Sequence, residues 1–468
     1  VSGNYTEGNN PTTISPYSYS NNYYGYSGYE QSYKYNLLGN FFVEYAHNWN
    51  EIHDFKIMAG LEHQHFHRVE WEEGGGNWLG TTLNPSASLS DWQSPIYRAN
   101  SERLFESSLL SRFVRVNYNL YDRYLFTFTA RLESSSMMAK GKENTFNPSA
   151  AFAWKINDES WFGDNEVLSE LKLRLGWGIT GQQGSPVYYY TKSRYLRGDM
   201  YAQYSLGNET YTTSRPEPKN EDLGWENTTT YNVGLDFGFL NGRIDGSIDA
   251  YIRKTDDLIG YASQPAGNLS NYMLGNIGDL RNKGIEFNIN AHPIVSRDFS
   301  WTVNYNIAVN SNKITNLNLG SGADYALTGE STSAGLNNQV MVNKEGYAVN
   351  SFYVYQQVYD ENGRPIEGQY VDRDGDGKIT DSDRYVYKHA DADVLMGMTN
   401  KFIYKNWDFS FTLRASLNNY VYYDFLSNKA IVSATGIYSN SAFNNTTSEA
   451  VKLGFQGDKL NYYVILEM

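Results

Sequence analysis

Several segments of the chain alternate apolar and polar residues with a period of two. The clearest run places one set of side chains on an apolar face, namely Trp301, Val303, Tyr305, Ile307 and Val309, and another on a polar face, namely Thr302, Asn304, Asn306 and Asn310. The same alternation recurs near residues 231–237, 285–290 and 407–414. Because successive side chains of a β-strand point to opposite faces, each segment predicts a strand with one apolar side. An antiparallel membrane barrel with a wet interior would accommodate all of them.

The connections between the predicted strands alternate in length. We count about thirteen strands that are long enough for a tilted membrane strand. Short turns are expected near residues 48–50, 121–123, 240–243, 292–297 and 405–406. Long connections are expected near residues 68–104, 135–145, 182–224, 256–280, 314–392 and 426–459. Short turns at one rim and long loops at the other are typical of outer-membrane barrels. A soluble sandwich or propeller would have short connections at both ends, so the alternation disfavours that alternative.

The composition permits a membrane protein that has no membrane-spanning helix. The 468 residues are only 40% hydrophobic, yet they include 41 Tyr, 22 Phe and 10 Trp. No run of about 18 apolar residues is present. A barrel strand needs an apolar residue only at every second position, and barrels carry aromatic residues at both membrane interfaces.

Charge and cysteine content exclude other classes. The net charge is −14 and Lys and Arg are not clustered, which argues against a nucleic-acid partner. The chain has no Cys, which argues against a disulfide scaffold and thiol chemistry. The sequence starts at Val1 without an apolar leader, so we expect any signal peptide to lie upstream or to have been removed.

Thirteen strands in a membrane would leave two open edges, which hydrocarbon does not tolerate. The apolar residues 462–466 also start a further strand close to Met468. We therefore expect the chain to be part of a larger barrel.

Five segments, in order along the chain, resemble motifs of the SusC/RagA family of TonB-dependent outer-membrane transporters. They are Tyr121-Asp122-Arg123-Tyr124 with Phe126, Phe128 and Arg131; Phe146-Asn147-Pro148-Ser149 with residues 153–156; and residues 173–181, 282–287 and 404–409. Two positions depart from the family pattern. Residues 132–136 replace an Asp-Gly-Ser-Ser run, and Asn147 replaces a Phe.

The resemblance implies an all-β fold, an antiparallel transmembrane β-barrel in which residues 1–468 supply about thirteen strands of a barrel of about 22 strands. It implies that a plug domain and terminal strands are absent from this segment. It also implies a nutrient importer in the outer membrane of a Gram-negative bacterium. Such an importer takes up oligosaccharides or peptides under a SusD-like surface lipoprotein and is energised through TonB. Its contacts would be with that lipoprotein, the TonB complex, the substrate and outer-membrane lipid, and not with nucleic acid.

The long loop at residues 314–392 contains an Asp-rich motif. Residues 372–383 match the calcium-loop template, with carboxylates at positions one, three and five, Gly at six, a backbone carbonyl at seven and an acidic residue at twelve. The candidate ligands are Asp372, Asp374, Asp376, Lys378 and Asp383. Crowded carboxylates repel one another unless a cation neutralises them, so calcium is the expected cofactor. An acidic solvated turn is the alternative.

Two further features have ordinary interpretations. His63, His65 and His67 alternate on one strand face and could suggest a metal site. However, they continue the apolar face that ends at Leu61, so we interpret them as the place where the strand leaves the membrane. The aromatic runs at residues 188–190 and 420–423 could stack on sugars, but we expect them to be girdle residues at the membrane interface.

No enzyme signature is present, so we expect a transporter without catalysis. A passive porin or surface adhesin is the first alternative. A secreted β-fold carbohydrate-active enzyme is the second, and it would need a pair of catalytic carboxylates in a cleft.

Overall fold

The structure is a computed structural model. It describes residues 2–3, 6–20, 23–76, 97–163, 167–183, 189–197, 202–207, 209–268, 270–320, 322–331, 339–423, 448–453 and 465–467. Within these ranges, none of the helices qualifies as a membrane span by length and hydropathy.

The body of the molecule is a 14-stranded antiparallel sheet in which almost every strand pairs with its neighbours in sequence. The first eight strands are β1 (Ser2–Gly3), β2 (Thr6–Ser20), β3 (Tyr23–Trp49), β4 (His53–Gly76), β5 (Tyr97–Leu120), β6 (Tyr124–Ser135), β7 (Asn144–Lys155) and β8 (Leu168–Gln182). A 3-10 helix, Ile156–Asp158, follows β7. Both β1 and β2 pair with β3.

Four short strands occupy the connection that follows β8. They are β9 (Tyr195–Arg197), β10 (Gln203–Leu206), β11 (Glu209–Thr212) and β12 (Ser214–Pro216), with β9 paired to β12 and β10 paired to β11. The main sheet then continues through β13 (Glu226–Phe239), β14 (Ile244–Ser263), β15 (Tyr272–Val295) and β16 (Phe299–Leu317).

The connection after β16 folds into a small sheet of its own. Its elements are β17 (Tyr325–Ser331), β18 (Gln339–Lys344), β19 (Ser351–Tyr355), β20 (Gln357–Tyr359), β21 (Pro365–Tyr370), a 3-10 helix (Asp381–Asp383) and β22 (Arg384–His389). Strands β17, β18, β19 and β22 pair in that order, and β20 pairs with β21. The buried side chains of Val340, Phe352 and Val354 form its core.

The chain then returns to the main sheet. The remaining elements are β23 (Val394–Tyr404), β24 (Trp407–Leu417), β25 (Tyr420–Tyr422), α1 (Ser448–Leu453) and β26 (Ile465–Glu467). The main sheet thus has thirteen long strands and the two-residue β1, which confirms the predicted antiparallel architecture. In the described part of the chain its two terminal strands do not pair with each other.

The short turns lie where the sequence predicts them. Strand pairs meet after Trp49, Leu120 and Phe239, and the turns at the first two are closed by hydrogen bonds of 3.1 Å, from Ile52 N to Trp49 O and from Arg123 N to Leu120 O. Asn241 and Gly242 have φ of 55° and 82°, the left-handed values that a type I′ turn requires at its two central residues.

In two of the segments that the sequence predicts as long connections, the flanking barrel strands continue into the segment. β4 continues to Gly76 and β5 begins at Tyr97, so the connection predicted at 68–104 is shorter. β14 and β15 likewise leave only residues 264–271 between them, where 256–280 was expected. Above the membrane both faces of a strand are in water, so the period-two pattern that identifies a strand is lost there while its backbone pairing persists. Most of the connection predicted at 426–459 lies outside the described residues.

Candidate functional site

The outward wall of the sheet is largely apolar. Strand register places one row of side chains across seven strands, consisting of Leu173, Leu235, Ile248, Phe287, Ile307, Met396 and Ala415. Many side chains of this wall remain open to their surroundings, including Val233, Ile285 and Phe409 at 47%, 58% and 62% exposure. An apolar patch of this extent marks contact with a membrane.

The adjacent row, one residue along each strand, faces inward and is mostly polar. It consists of Lys172, Asp236, Ser247, Asn288, Asn306, Gly397 and Arg414. The register therefore turns the alternation of each strand into two continuous walls, one for lipid and one for a wet interior.

An arginine bridges two carboxylates on the inward wall. Arg174 of β8 places Nη2 2.7 Å from Asp236 of β13 and 2.9 Å from Asp249 of β14, while Lys172 lies 3.3 Å from Asp236. Gly234 stands between them in the register, and a Cβ there would lie 2.5 Å from an Asp249 oxygen. Glycine at this position thus leaves the space through which the ion pair crosses β13.

A second network joins strands β4 to β7 on the same wall. Arg131 donates to Glu62 at 2.7 Å, to Ser111 at 2.8 Å and to Glu133 at 2.9 Å, and Asn147 donates to the other oxygen of Glu133 at 2.7 Å. The sequence predicts neither network, although Arg131, Asn147 and Arg174 lie in segments that resemble family motifs. The one sequence signal that all members share is a polar position in an alternating strand.

Aromatic side chains gather at the rim of the short turns. Stacked or edge contacts join Tyr45 with His47, His47 with Trp49, His53 with Tyr118, Tyr124 with Trp154, and Trp301 with Phe402. This band lies where an interfacial girdle is expected.

The aromatic runs that the sequence assigned to the girdle lie elsewhere. Tyr190 packs on a small core of Ala139, Leu223 and Leu274, and Tyr420 and Tyr422 pack on the core of the β17–β22 sheet. The girdle prediction for these residues is wrong, because each run follows the end of a barrel strand and is covered by the folded connections. Tyr188 lies outside the described residues.

The Asp-rich loop places three carboxylates together. One carboxylate oxygen from each of Asp372, Asp374 and Asp376 lies within 4.8 Å of the others. Asp372 accepts the N–H groups of Gly375 at 2.6 Å and Gly377 at 2.8 Å, which curls the loop around its own carboxylate. The N–H of Lys378 donates to Asp376 at 2.8 Å.

Asp383 is placed differently from the other predicted ligands. It is fully buried, and its two oxygens accept the N–H groups of Arg373 and Thr380, each at 2.7 Å. The structure thus joins Asp383 to the loop as a hydrogen-bond acceptor and does not include it in the group of three carboxylates. The next residue, Arg384, anchors the loop to the small sheet by donating to Tyr353 O at 2.7 Å.

Opposite pKa shifts reflect these two environments. The N–H of Thr380, followed by those of Arg373 and Asp374, holds the pKa of Asp383 below its usual range despite burial. The pKa of Asp374 is raised: the Asp376 N–H lowers it, but desolvation and the negative charges of Asp376, Asp383 and Asp372 together outweigh that effect. Mutual repulsion of this kind favours a bound cation.

The three histidines lie on the outward face of β4, as the alternation predicts. His65 and His67 pair with Ser108 and Glu106 of β5, and His67 Nδ1 lies 2.9 Å from a Glu106 oxygen. The sequence gives no indication of Glu106, because about forty residues separate it from His67 along the chain.

Comparisons with known proteins agree with this architecture. Residues 1–364 match the family described as TonB dependent receptor-like, beta-barrel. The chain is 52% identical to the TonB-dependent receptor SusC of Bacteroides thetaiotaomicron, over 99% of this chain and 46% of that protein. It is 29% identical to the TonB-dependent receptor P3 of Formosa agariphila, over 82% of this chain and 38% of that protein. The chain thus spans less than half the length of these relatives.

Solved structures share the fold. The RagAB peptide transporter matches with a TM-score of 0.76 at 17% identity, over 99% of this chain and 50% of that one. The RagAB peptide importer in its open-open state matches with a TM-score of 0.73 at 18% identity, over 94% of this chain and 46% of that one. The family places the protein in the outer membrane of a Gram-negative bacterium. With its thirteen long antiparallel strands, apolar outer wall and polar inner wall, the chain belongs to the TonB-dependent receptor-like β-barrel family.

Proposed function

We propose that the protein is an outer-membrane nutrient importer of the SusC type, which takes up oligosaccharides or peptides without catalysis. The observation that carries this proposal is the 52% identity to SusC over 99% of the chain. The polar inner wall supports it, because a wet lumen suits the passage of hydrophilic cargo. A SusD-like surface lipoprotein as partner and energisation through TonB follow from the same likeness.

Uptake by cells tests the proposal. We expect cells that carry the intact gene to accumulate a labelled oligosaccharide or peptide, and deletion of the gene to abolish accumulation. Removal of TonB should abolish it equally, because passage through a plugged barrel needs energy. Native mass spectrometry of the complex in mild detergent should then reveal a lipoprotein companion and its bound cargo.

Other outcomes would contradict the importer. Uptake that continues at the same rate without TonB indicates a passive porin. Chemical conversion of the labelled compound by the purified protein would indicate an enzyme. If deletion of the gene abolishes attachment of the cells to surfaces and leaves uptake unchanged, the protein is an adhesin.

We further propose that the Asp-rich loop binds calcium through Asp372, Asp374, Asp376, the Lys378 carbonyl and Asp383. The proximity of the three carboxylates supports the site, as does the left-handed conformation of Gly375, with φ of 76°, at template position six. Calcium would stiffen the external connection and would take no part in chemistry.

Limited proteolysis tests the calcium site. Trypsin cleaves after Arg373 and Lys378, both inside the loop, so calcium should protect both bonds in the intact protein. Asn at both positions 374 and 376 (Asp374→Asn with Asp376→Asn) should remove this protection and weaken calcium binding at least tenfold in calorimetry, because two charged ligands are lost.

The matched control is Glu361→Gln, which removes an exposed carboxylate from the turn between β20 and β21. It should bind calcium as the unmodified protein does. Cleavage that proceeds equally with calcium and with a chelator would disprove the site.

A further inference from the structure

We propose that His65, His67 and Glu106 form a binding site for a transition-metal ion of the Zn²⁺ class on the outward wall of β4 and β5. Each residue offers one ligand atom, and these three atoms lie within 4.8 Å of one another. The site is separate from the Asp-rich loop and from the inner wall. It rests on its own geometry and does not depend on the importer proposal.

Two strands bring the ligands together by register. The period of two places His65 and His67 on the same face of β4. Antiparallel pairing with β5 sets Glu106 directly opposite His67 and Ser108 directly opposite His65. Because β4 and β5 pair without a register shift from His53 to Gly76, the backbone beneath the site is regular on both strands.

Neighbouring groups orient the two imidazole rings. Ser108 Oγ lies 3.0 Å from His65 Nδ1, and the ring of Tyr35 stacks on His67 at 4.7 Å with an interplanar angle of 15°. The Ser108 contact engages Nδ1 of His65 and leaves its Nε2 available for a metal ion, while the stacked Tyr35 ring holds the plane of the His67 imidazole. These supporting residues cannot be recognised from the sequence around His65 and His67, because Tyr35 lies on β3 and Ser108 on β5.

The donor set selects the class of ion. Two imidazole nitrogens and one carboxylate oxygen suit Zn²⁺ and its neighbours, whereas Ca²⁺ and Mg²⁺ require oxygen ligands. In a tetrahedral zinc site the ligand atoms are about 3.3 Å apart. Small side-chain rotations can shorten the distances between the ligand atoms from up to 4.8 Å to this value. Both side chains have room to rotate, because Glu106 is exposed and the His67 side chain is 18% exposed. Water would complete the coordination.

The position of the site makes it accessible from outside the cell. His65 lies about twelve residues beyond His53, the first residue of β4, which corresponds to about 40 Å along the strand. At a typical strand tilt this places His65 about 30 Å above the short turns, measured along the membrane normal. The hydrocarbon core of a membrane is about 30 Å thick. On β4 the outward face below the site is apolar from Phe55 to Leu61, and on β5 the outward Arg112 lies opposite Leu61, so the ligands stand beyond the lipid on the side opposite the short turns.

Metal titration of the intact protein tests this inference. The protein is purified in detergent with an affinity tag that contains no histidine, and Zn²⁺ is titrated against a chromogenic chelator. We expect one site of micromolar affinity or tighter, and Co²⁺ at the same site should give a tetrahedral absorption spectrum. His65→Ala and His67→Ala should each weaken binding at least tenfold, and Glu106→Gln should weaken it to a smaller extent.

His63→Ala is the matched control, because His63 lies on the same face of β4 one pleat nearer the membrane and outside the group of ligands. It should leave zinc affinity unchanged. Retention of affinity in the variant that combines His65→Ala with His67→Ala would overturn the site, and so would an equal loss in His63→Ala. Heat-modifiable gel migration of each variant identifies any that has failed to fold, and Glu106→Gln, which alters only an exposed side chain, then provides the test.

Discussion

Ile248→Arg is expected to lower the free energy of unfolding in a lipid bilayer by about 2–4 kcal/mol. Ile248 lies in the outward apolar row between Leu235 and Phe287 and has 43% exposure, so an arginine there would place its charge in hydrocarbon. Urea titration of the protein refolded into vesicles measures the effect. The loss of assembled protein from the outer membrane should accompany it.

The neighbouring residue supplies a strict control for this experiment. Ser247 is one position away on β14 and faces the inner wall, opposite Asp236 and Asn288. Ser247→Arg introduces the same side chain at nearly the same depth, but into water and beside a carboxylate. It should retain the stability of the unmodified protein. Equal destabilisation by the two substitutions would show that the two walls are not divided between lipid and water as described.

Arg174→Met, which replaces the bridging charge of the inner wall with a neutral side chain, is expected to lower the free energy of unfolding by about 1–2 kcal/mol. It leaves the carboxylates of Asp236 on β13 and Asp249 on β14 without their shared arginine, and only Lys172 then balances Asp236. This loss is smaller than the value of about 3–5 kcal/mol for breaking a fully buried ion pair. The reason is that the three side chains remain 20–31% exposed, so water in the lumen screens their charges.

A double-mutant cycle separates charge from packing at this site. Asp249→Asn should cost stability by itself but should relieve part of the loss when combined with Arg174→Met, because it removes one of the two opposed charges. Arg115→Met is the control: Arg115 is exposed on the inner face of β5 and makes no ion pair or hydrogen bond within the described ranges. Strictly additive losses at positions 174 and 249 would contradict the bridge.

The candidate sites differ in how far local sequence could predict them. The Asp-rich loop can be recognised in the sequence because its candidate ligands fall within twelve consecutive residues. The sharp turn of the loop also requires glycine at template position six, which is Gly375. The surroundings of Asp383 are not visible in the template, since both of its oxygens accept backbone N–H groups. The group of His65, His67 and Glu106 was not recognisable, because its third ligand comes from the neighbouring strand.

The sequence by itself determined the strands, their two faces and the short turns. Alternation has a period of two in any half-buried strand, and hairpin turns need particular residues such as Asn241-Gly242, so both features are local. Only the tertiary structure decided which polar residues meet across strands, as Arg174 does with Asp249, and how far strands extend into water. Cross-strand contacts depend on register, which is fixed by the whole sheet, and beyond the membrane no apolar face remains to mark a strand.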